Sequence, residues 1–203
     1  LGVKDAISSF AGIRPVLSRG HVAPSKESRE HAVWEKKGLI TVTGGKLTTF
    51  RKLAWDSIKA SSPYLPDNRG INKNEAAFTL NAPKSINREY NLSESEWERL
   101  SGRYGNMALE ILKNIDGLHK ISGTDILWSE IKHSAENEQV RHLTDLLQRR
   151  SRIALLLPKG GDSILEKIGD IIKPVLGWDE SRWNDEVQLY RSEWQKFFRP
   201  PAI

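Results

Sequence analysis

Apolar positions change their period once along this chain. Residues 38–43, Gly-Leu-Ile-Thr-Val-Thr, are rich in β-branched side chains and bounded by glycine, the signature of a strand. Immediately after them Leu47, Phe50, Leu53, Ala54 and Ile58 recur at three-to-four spacing, which draws one apolar helix face. Residues 63–92, with Pro63, Pro66, Pro83, Gly70 and several asparagines, support no long period and read as a connector. From residue 93 onward the pattern is helical throughout.

Ser93 and Glu96 form a capping box that opens a helix. Its predicted stripe is Trp97, Leu100, Tyr104, Ala108, Ile111, Leu112 and Ile115. Further helices are predicted around Trp128 and Ile131, and around Val140, Leu143, Leu146 and Leu147. Another is expected from a cap at Asp162 through Ile168 and Ile172 to Pro174. A last one follows Asp179 with Trp183, Val187, Tyr190, Trp194 and Phe197. The expected fold is mostly α. Residues 1–62 form a β/α piece whose partner strands lie outside the chain, 63–92 a connector, and 93–203 an all-helical C-terminal domain.

Chemistry concentrates at the change of period. In Gly44-Gly45-Lys46-Leu47-Thr48-Thr49-Phe50-Arg51 a strand ends, two glycines turn the backbone, and a helix begins. Free N–H groups and the positive end of the helix dipole then face one point, where an anionic oxygen can sit. Lys46 adds a full charge, and Thr48 and Thr49 add hydroxyls.

Two segments upstream carry arginine beside a turn former: Ala11-Gly12-Ile13-Arg14-Pro15 and Ser28-Arg29-Glu30-His31. With Gly44-Gly45-Lys46-Leu47-Thr48-Thr49-Phe50-Arg51 as the third, this ordered set resembles the FAD-dependent glycerol-3-phosphate dehydrogenases. The likeness continues through Trp128-Ser129-Glu130-Ile131 and Leu146–Arg152 into the helical half. Phe50 departs from the family pattern, where tyrosine is usual.

The resemblance implies a flavoprotein that oxidises sn-glycerol 3-phosphate to dihydroxyacetone phosphate, with hydride to FAD N5 and electrons on to quinone. It implies that Arg14 is catalytic and holds the oxygen at the reacting carbon, that Arg29 grips the phosphate, and that Lys46 and Thr49 complete the substrate site. It also implies that Gly44, Gly45, Lys46, Leu47 and Thr48 present the turn to the flavin, where the helix dipole favours the negative charge gained on reduction. No Gly-x-Gly-x-x-Gly fingerprint occurs, and the chain opens at Leu1. The expectation is therefore a C-terminal piece of a larger flavoenzyme, inactive by itself and unable to retain FAD alone.

Composition narrows the other classes. Absence of cysteine excludes disulfides, thiolate metal sites and a cysteine nucleophile. His21, His31, His119, His133 and His142 lack the spacing of a zinc motif, so no metal is expected, and no Gly-x-Ser-x-Gly elbow supports a hydrolase. The longest apolar run, residues 153–157, is far below the ~20 residues of a membrane span. Residues 1–90 carry 15 Lys and Arg against 8 Asp and Glu, a balance of +7, whereas the rest carries 16 against 18. The basic excess thus accompanies the three motifs, as anion binding requires. Arg149, Arg150 and Arg152 complement a helix C-terminus, and nucleic acid is not an expected partner.

The expected location is cytoplasmic. Peripheral contact with the inner face of the cell membrane and homodimerisation are left open as roles for the helical domain. The competing readings are an amine or amino-acid oxidase-like flavoenzyme and a non-enzymatic helical interaction module.

Overall fold

The computed structural model describes residues 2–13, 31–66, 74 and 89–201. The chain divides into two compact units, one of Leu1–Ala11 with Phe78–Ile203 and one of Gly12–Ala77. It is mostly helical, with one two-stranded sheet among the described residues.

In the smaller unit β1 (Ala32–Lys36) and β2 (Leu39–Thr43) pair antiparallel, with Ala32 opposite Thr43 and Lys36 opposite Leu39. The two-residue turn between them, Lys37 and Gly38, has φ of 53° and 82°, the doubly left-handed geometry that suits the twist of a tight hairpin. Gly38 donates its N–H to Glu35 at 2.7 Å, and the Tyr64 hydroxyl donates to the same carboxylate oxygen at 2.8 Å. Those two donors hold the Glu35 carboxyl below its usual range. After β2 the backbone passes through Gly44 to Lys46 and one 3₁₀ turn, Leu47–Thr49, into α1 (Phe50–Ser61).

The larger unit has two hydrophobic clusters. α2 (Glu94–Tyr104) starts at the predicted box: Ser93 accepts from the Glu96 N–H at 3.3 Å, and Glu96 accepts from the Ser93 N–H at 2.8 Å. The predicted long helix breaks at Gly105 (φ 56°, ψ −133°), and α3 (Ala108–Leu112) follows a 3₁₀ turn, Gly105–Met107. Trp97, Leu100, Ile111 and Leu112 then meet in the smaller cluster.

The larger cluster is built by α4 (Trp128–Asn137), the π-helical turn Asp145–Arg150, α5 (Ile153–Leu156), α6 (Leu165–Leu176) and α7 (Glu180–Phe197). Ile131, Leu143, Leu146, Leu147, Ile153, Ile168 and Ile172 are wholly buried in it. Two expected boundaries differ. Asp162 caps nothing; it bonds Arg191 Nε at 2.6 Å, and Ile164 precedes α6. Pro174 lies inside α6, which ends instead at left-handed Gly177. Asp179 does cap α7, accepting from the Arg182 N–H at 2.7 Å.

The ends of this unit are tied together. Ser9 N–H donates to the Phe198 carbonyl at 2.8 Å, and the Ser8 hydroxyl to the Leu155 carbonyl at 2.8 Å. Ser8 and Ser9 are thus bound to the helical unit.

Glu96 gives a pH-dependent element of stability. Hydrogen bonds from Ser93, then the Lys120 ammonium at 2.9 Å, pull its pKa from 4.5 down to about 2. The folded state holds this proton more weakly than the unfolded chain, so the contribution is complete above pH 4.5 and lost as pH falls toward 2. Urea denaturation in that window should show a steeper loss of stability for the wild type than for Glu96→Gln; parallel slopes would remove Glu96 from the account.

Candidate functional site

The glycine turn keeps its backbone open. Gly44 and Gly45 have φ of 75° and 89°, left-handed values that glycine adopts without strain. Behind the turn there is no room: a Cβ on Gly45 would lie 2.9 Å from Leu53 Cδ1 and 3.4 Å from His31 Cβ. In front, Lys46, Leu47 and Thr48 are exposed, with Leu47 at 89%. A turn packed tightly on one side and open on the other suits a flat or anionic group approaching the main chain.

Local hydrogen bonds fix its shape. Thr49 N–H donates to the Lys46 carbonyl at 3.0 Å, and the Thr49 hydroxyl donates to the same oxygen at 3.1 Å. Lys46 N–H points back to the Thr49 hydroxyl oxygen at 3.3 Å. Thr49 is therefore the clasp of the turn. The N–H groups of Leu47 and Thr48 make no hydrogen bond to a described residue, and the 3₁₀ turn they open runs straight into the twelve residues of α1. They are donors at the positive end of a helix dipole.

One feature of this site was not singled out in sequence. His31 Nε2 and Asp56 Oδ2 lie 2.7 Å apart, with the imidazole largely covered at 12% exposure. This pair fastens the residue before β1 to α1 directly behind the turn. The available signal was weak: Asp56 follows Leu53 by three positions and so shares its helix face.

Of the residues expected in the site, Gly44, Gly45, Lys46, Leu47, Thr48 and Thr49 are brought together by the turn. Arg14 and Arg29 lie outside the described residues. Among the described residues no group of three His, Asp or Glu side chains could hold a metal ion, and no helix is long and apolar enough to cross a membrane. In the helical unit Arg149 pairs with Asp145 at 2.7 Å, and the Arg150 carbonyl accepts from Arg103.

Gly45→Ala tests the tight side of the turn. Left-handed strain and the Leu53 contact together should destabilise the smaller unit by about 1–3 kcal/mol. Amide exchange should speed up in β2 and α1 while the helical unit keeps its protection. Unchanged exchange throughout would mean that the turn tolerates a Cβ.

Known proteins locate these features. Residues 73–183 match the family model described as the C-terminal domain of alpha-glycerophosphate oxidase. Glycerol-3-phosphate dehydrogenase 2 of Mycobacterium bovis is 30% identical over 201 residues, which cover 92% of this chain and 34% of that protein. The mitochondrial glycerol-3-phosphate dehydrogenase of Bos taurus is 28% identical over 92% of this chain and 28% of its own length. The aerobic glycerol-3-phosphate dehydrogenase of Staphylococcus saprophyticus is 27% identical over 98% and 40%. The chain thus spans about a third of the length of these relatives. With more than half of its 203 residues inside that family model, this chain belongs to the family of alpha-glycerophosphate oxidase C-terminal domains.

Proposed function

We propose that this chain is the C-terminal part of an FAD-dependent enzyme that oxidises sn-glycerol 3-phosphate to dihydroxyacetone phosphate. The observation that carries the proposal is the open glycine turn with Lys46 at its apex, in a chain similar over 92% of its length to proteins named glycerol-3-phosphate dehydrogenase. Gly44, Gly45, Lys46, Leu47 and Thr48 would hold FAD, which when bound would supply the hydride acceptor for C2 and an electron path to a quinone.

The turn fits such a group because a side chain at position 45 would be strained at φ 89° and press on Leu53, while its outer face is uncovered. Gly44, Gly45, Lys46, Leu47 and Thr48 hold the cofactor side, the Leu47 and Thr48 N–H groups supplying donors for an anionic oxygen. Lys46 neutralises charge that accumulates there or on the phosphoester. Thr49 keeps the turn closed upon itself and faces the substrate. Arg14 holds and orients the C2 oxygen, and Arg29 grips the phosphate through its planar fork. The exposed apolar groups Trp34, Leu39 and Phe50 belong to the surface on which the rest of the flavin-binding body packs. Cytoplasmic location with peripheral membrane contact, and dimerisation through the helical unit, are parts of the same proposal.

The test is anaerobic mixing of the full-length flavoprotein with candidate substrates. Glycerol 3-phosphate should bleach the flavin absorbance, while amines and amino acids leave it oxidised. The reverse pattern assigns the protein to the oxidase-like class.

A further inference from the structure

The helical unit contains a second cationic site. A cavity of about 450 Å³, within the roughly 300–1,000 Å³ range of small-molecule sites, opens between the loop after α5 and α7. Lys159, Arg191 and Arg199 stand at its wall, Tyr190 and Trp194 form its floor, and Asp162 is its one carboxylate.

Its chemistry is defined by which groups are already engaged. Asp162 is bonded to Arg191 Nε at 2.6 Å, so the acid is matched by one of the three cations. Lys159 and Arg199 are exposed, and neither side chain bonds a described residue. The Tyr190 hydroxyl donates to the Gly160 carbonyl at 2.5 Å, and the Trp194 indole N–H to the Ala154 carbonyl at 2.8 Å. With both polar tips committed, and with Tyr190 1% and Trp194 7% exposed, the aromatic pair meets the cavity only at an apolar edge of Trp194. An apolar floor beneath two unmatched cations selects a flat apolar body that carries negative charge.

The loop itself is an independent observation. Lys159, Gly160 and Gly161 are left-handed in succession, with φ of 51°, 68° and 78°. Gly160 and Gly161 are required by packing: Cβ atoms there would lie 2.6 Å from Trp194 Cδ1 and 2.7 Å from Ile153 Cγ2. Lys159 has no such reason. Glycine adopts this conformation more easily than lysine, so Lys159→Gly removes the charge without adding backbone strain.

We infer that this cavity binds a small aromatic anion, a one- or two-ring compound bearing a phosphate or carboxylate, with Lys159 and Arg199 on the charge and the ligand ring against the exposed edge of Trp194. The site is built from residues of the helical unit alone and does not depend on the proposed redox function.

The experiment uses the full 203-residue chain and phenyl phosphate as probe, followed through the Trp194 indole resonance in a proton–nitrogen correlation spectrum. Saturable shifts are expected, with inorganic phosphate or phenol alone at least about tenfold weaker. Arg199→Gln should weaken binding by about tenfold. Lys159→Gly should weaken it similarly while melting no lower than the wild type, because glycine removes the left-handed strain. The inference is overturned if phenyl phosphate gives no saturable shift, if phosphate alone binds as well, or if Lys159→Gly either retains affinity or unfolds more easily.

Discussion

Arg99→Met is expected to lower the free energy of unfolding by about 3–5 kcal/mol, because it strands a buried charge. Glu130 is 1% exposed on α4, and Arg99 reaches it from α2 with two parallel bonds, at 2.6 and 3.0 Å. That carboxylate also accepts from the Leu127 N–H at 2.8 Å, and the Tyr104 hydroxyl stands beside it. Methionine fills much of the volume of the arginine stem and removes the cation, so the loss measures the unpaired carboxylate. Adding Glu130→Gln should recover most of the stability, since a neutral amide is far cheaper to bury. Urea unfolding of the two single variants and the double variant gives the coupling directly. Additive effects would show that the pair does not hold α2 to α4.

The second large effect falls on chemistry. In the full-length flavoprotein, Lys46→Met should reduce kcat/KM for glycerol 3-phosphate by about 100- to 1,000-fold, the loss typical of removing one aimed electrostatic group from a reacting centre. Lys46 is exposed and pairs with no carboxylate among the described residues, so its removal disturbs little of the described fold. Stopped-flow reduction of the flavin separates the two roles proposed for it. A fall confined to substrate affinity places the ammonium on the phosphoester, whereas a fall in the limiting reduction rate places it beside charge formed during hydride transfer. Unaltered kinetics would remove Lys46 from the site.

Features whose physics is local were legible in the sequence. Ser93 with Glu96 and Asp179 were readable as caps because each satisfies an N–H within three residues. The stripe Trp183, Val187, Tyr190 and Trp194 was readable because a single helix carries it into the core. Asp162 looked like a third cap, but its carboxylate is taken by Arg191, twenty-nine positions away, and no local pattern announces that contact. Gly105 interrupts an otherwise continuous apolar stripe because its conformation is left-handed, which the spacing of Trp97 through Leu112 does not reveal. Pro174 stays inside α6 because tertiary burial of Ile168 and Ile172 outweighs the missing N–H.

The glycine turn was legible for the same local reason: Gly-Gly between a β-branched run and an apolar helix face can do little else. Its support was not legible. The His31–Asp56 bond joins residues twenty-five apart, across the hairpin and the turn, and the tight packing of His31 and Leu53 against Gly45 depends on that closure.

The most direct test of the central claim is a crystal structure of the full-length protein with glycerol 3-phosphate bound at its flavin. Lys46 should lie within about 2.7–3.2 Å of an anionic oxygen of the substrate or cofactor, with Arg14 and Arg29 on the same ligand. A complex in which the glycine turn faces solvent, and these three cations contact neither molecule, would contradict the account.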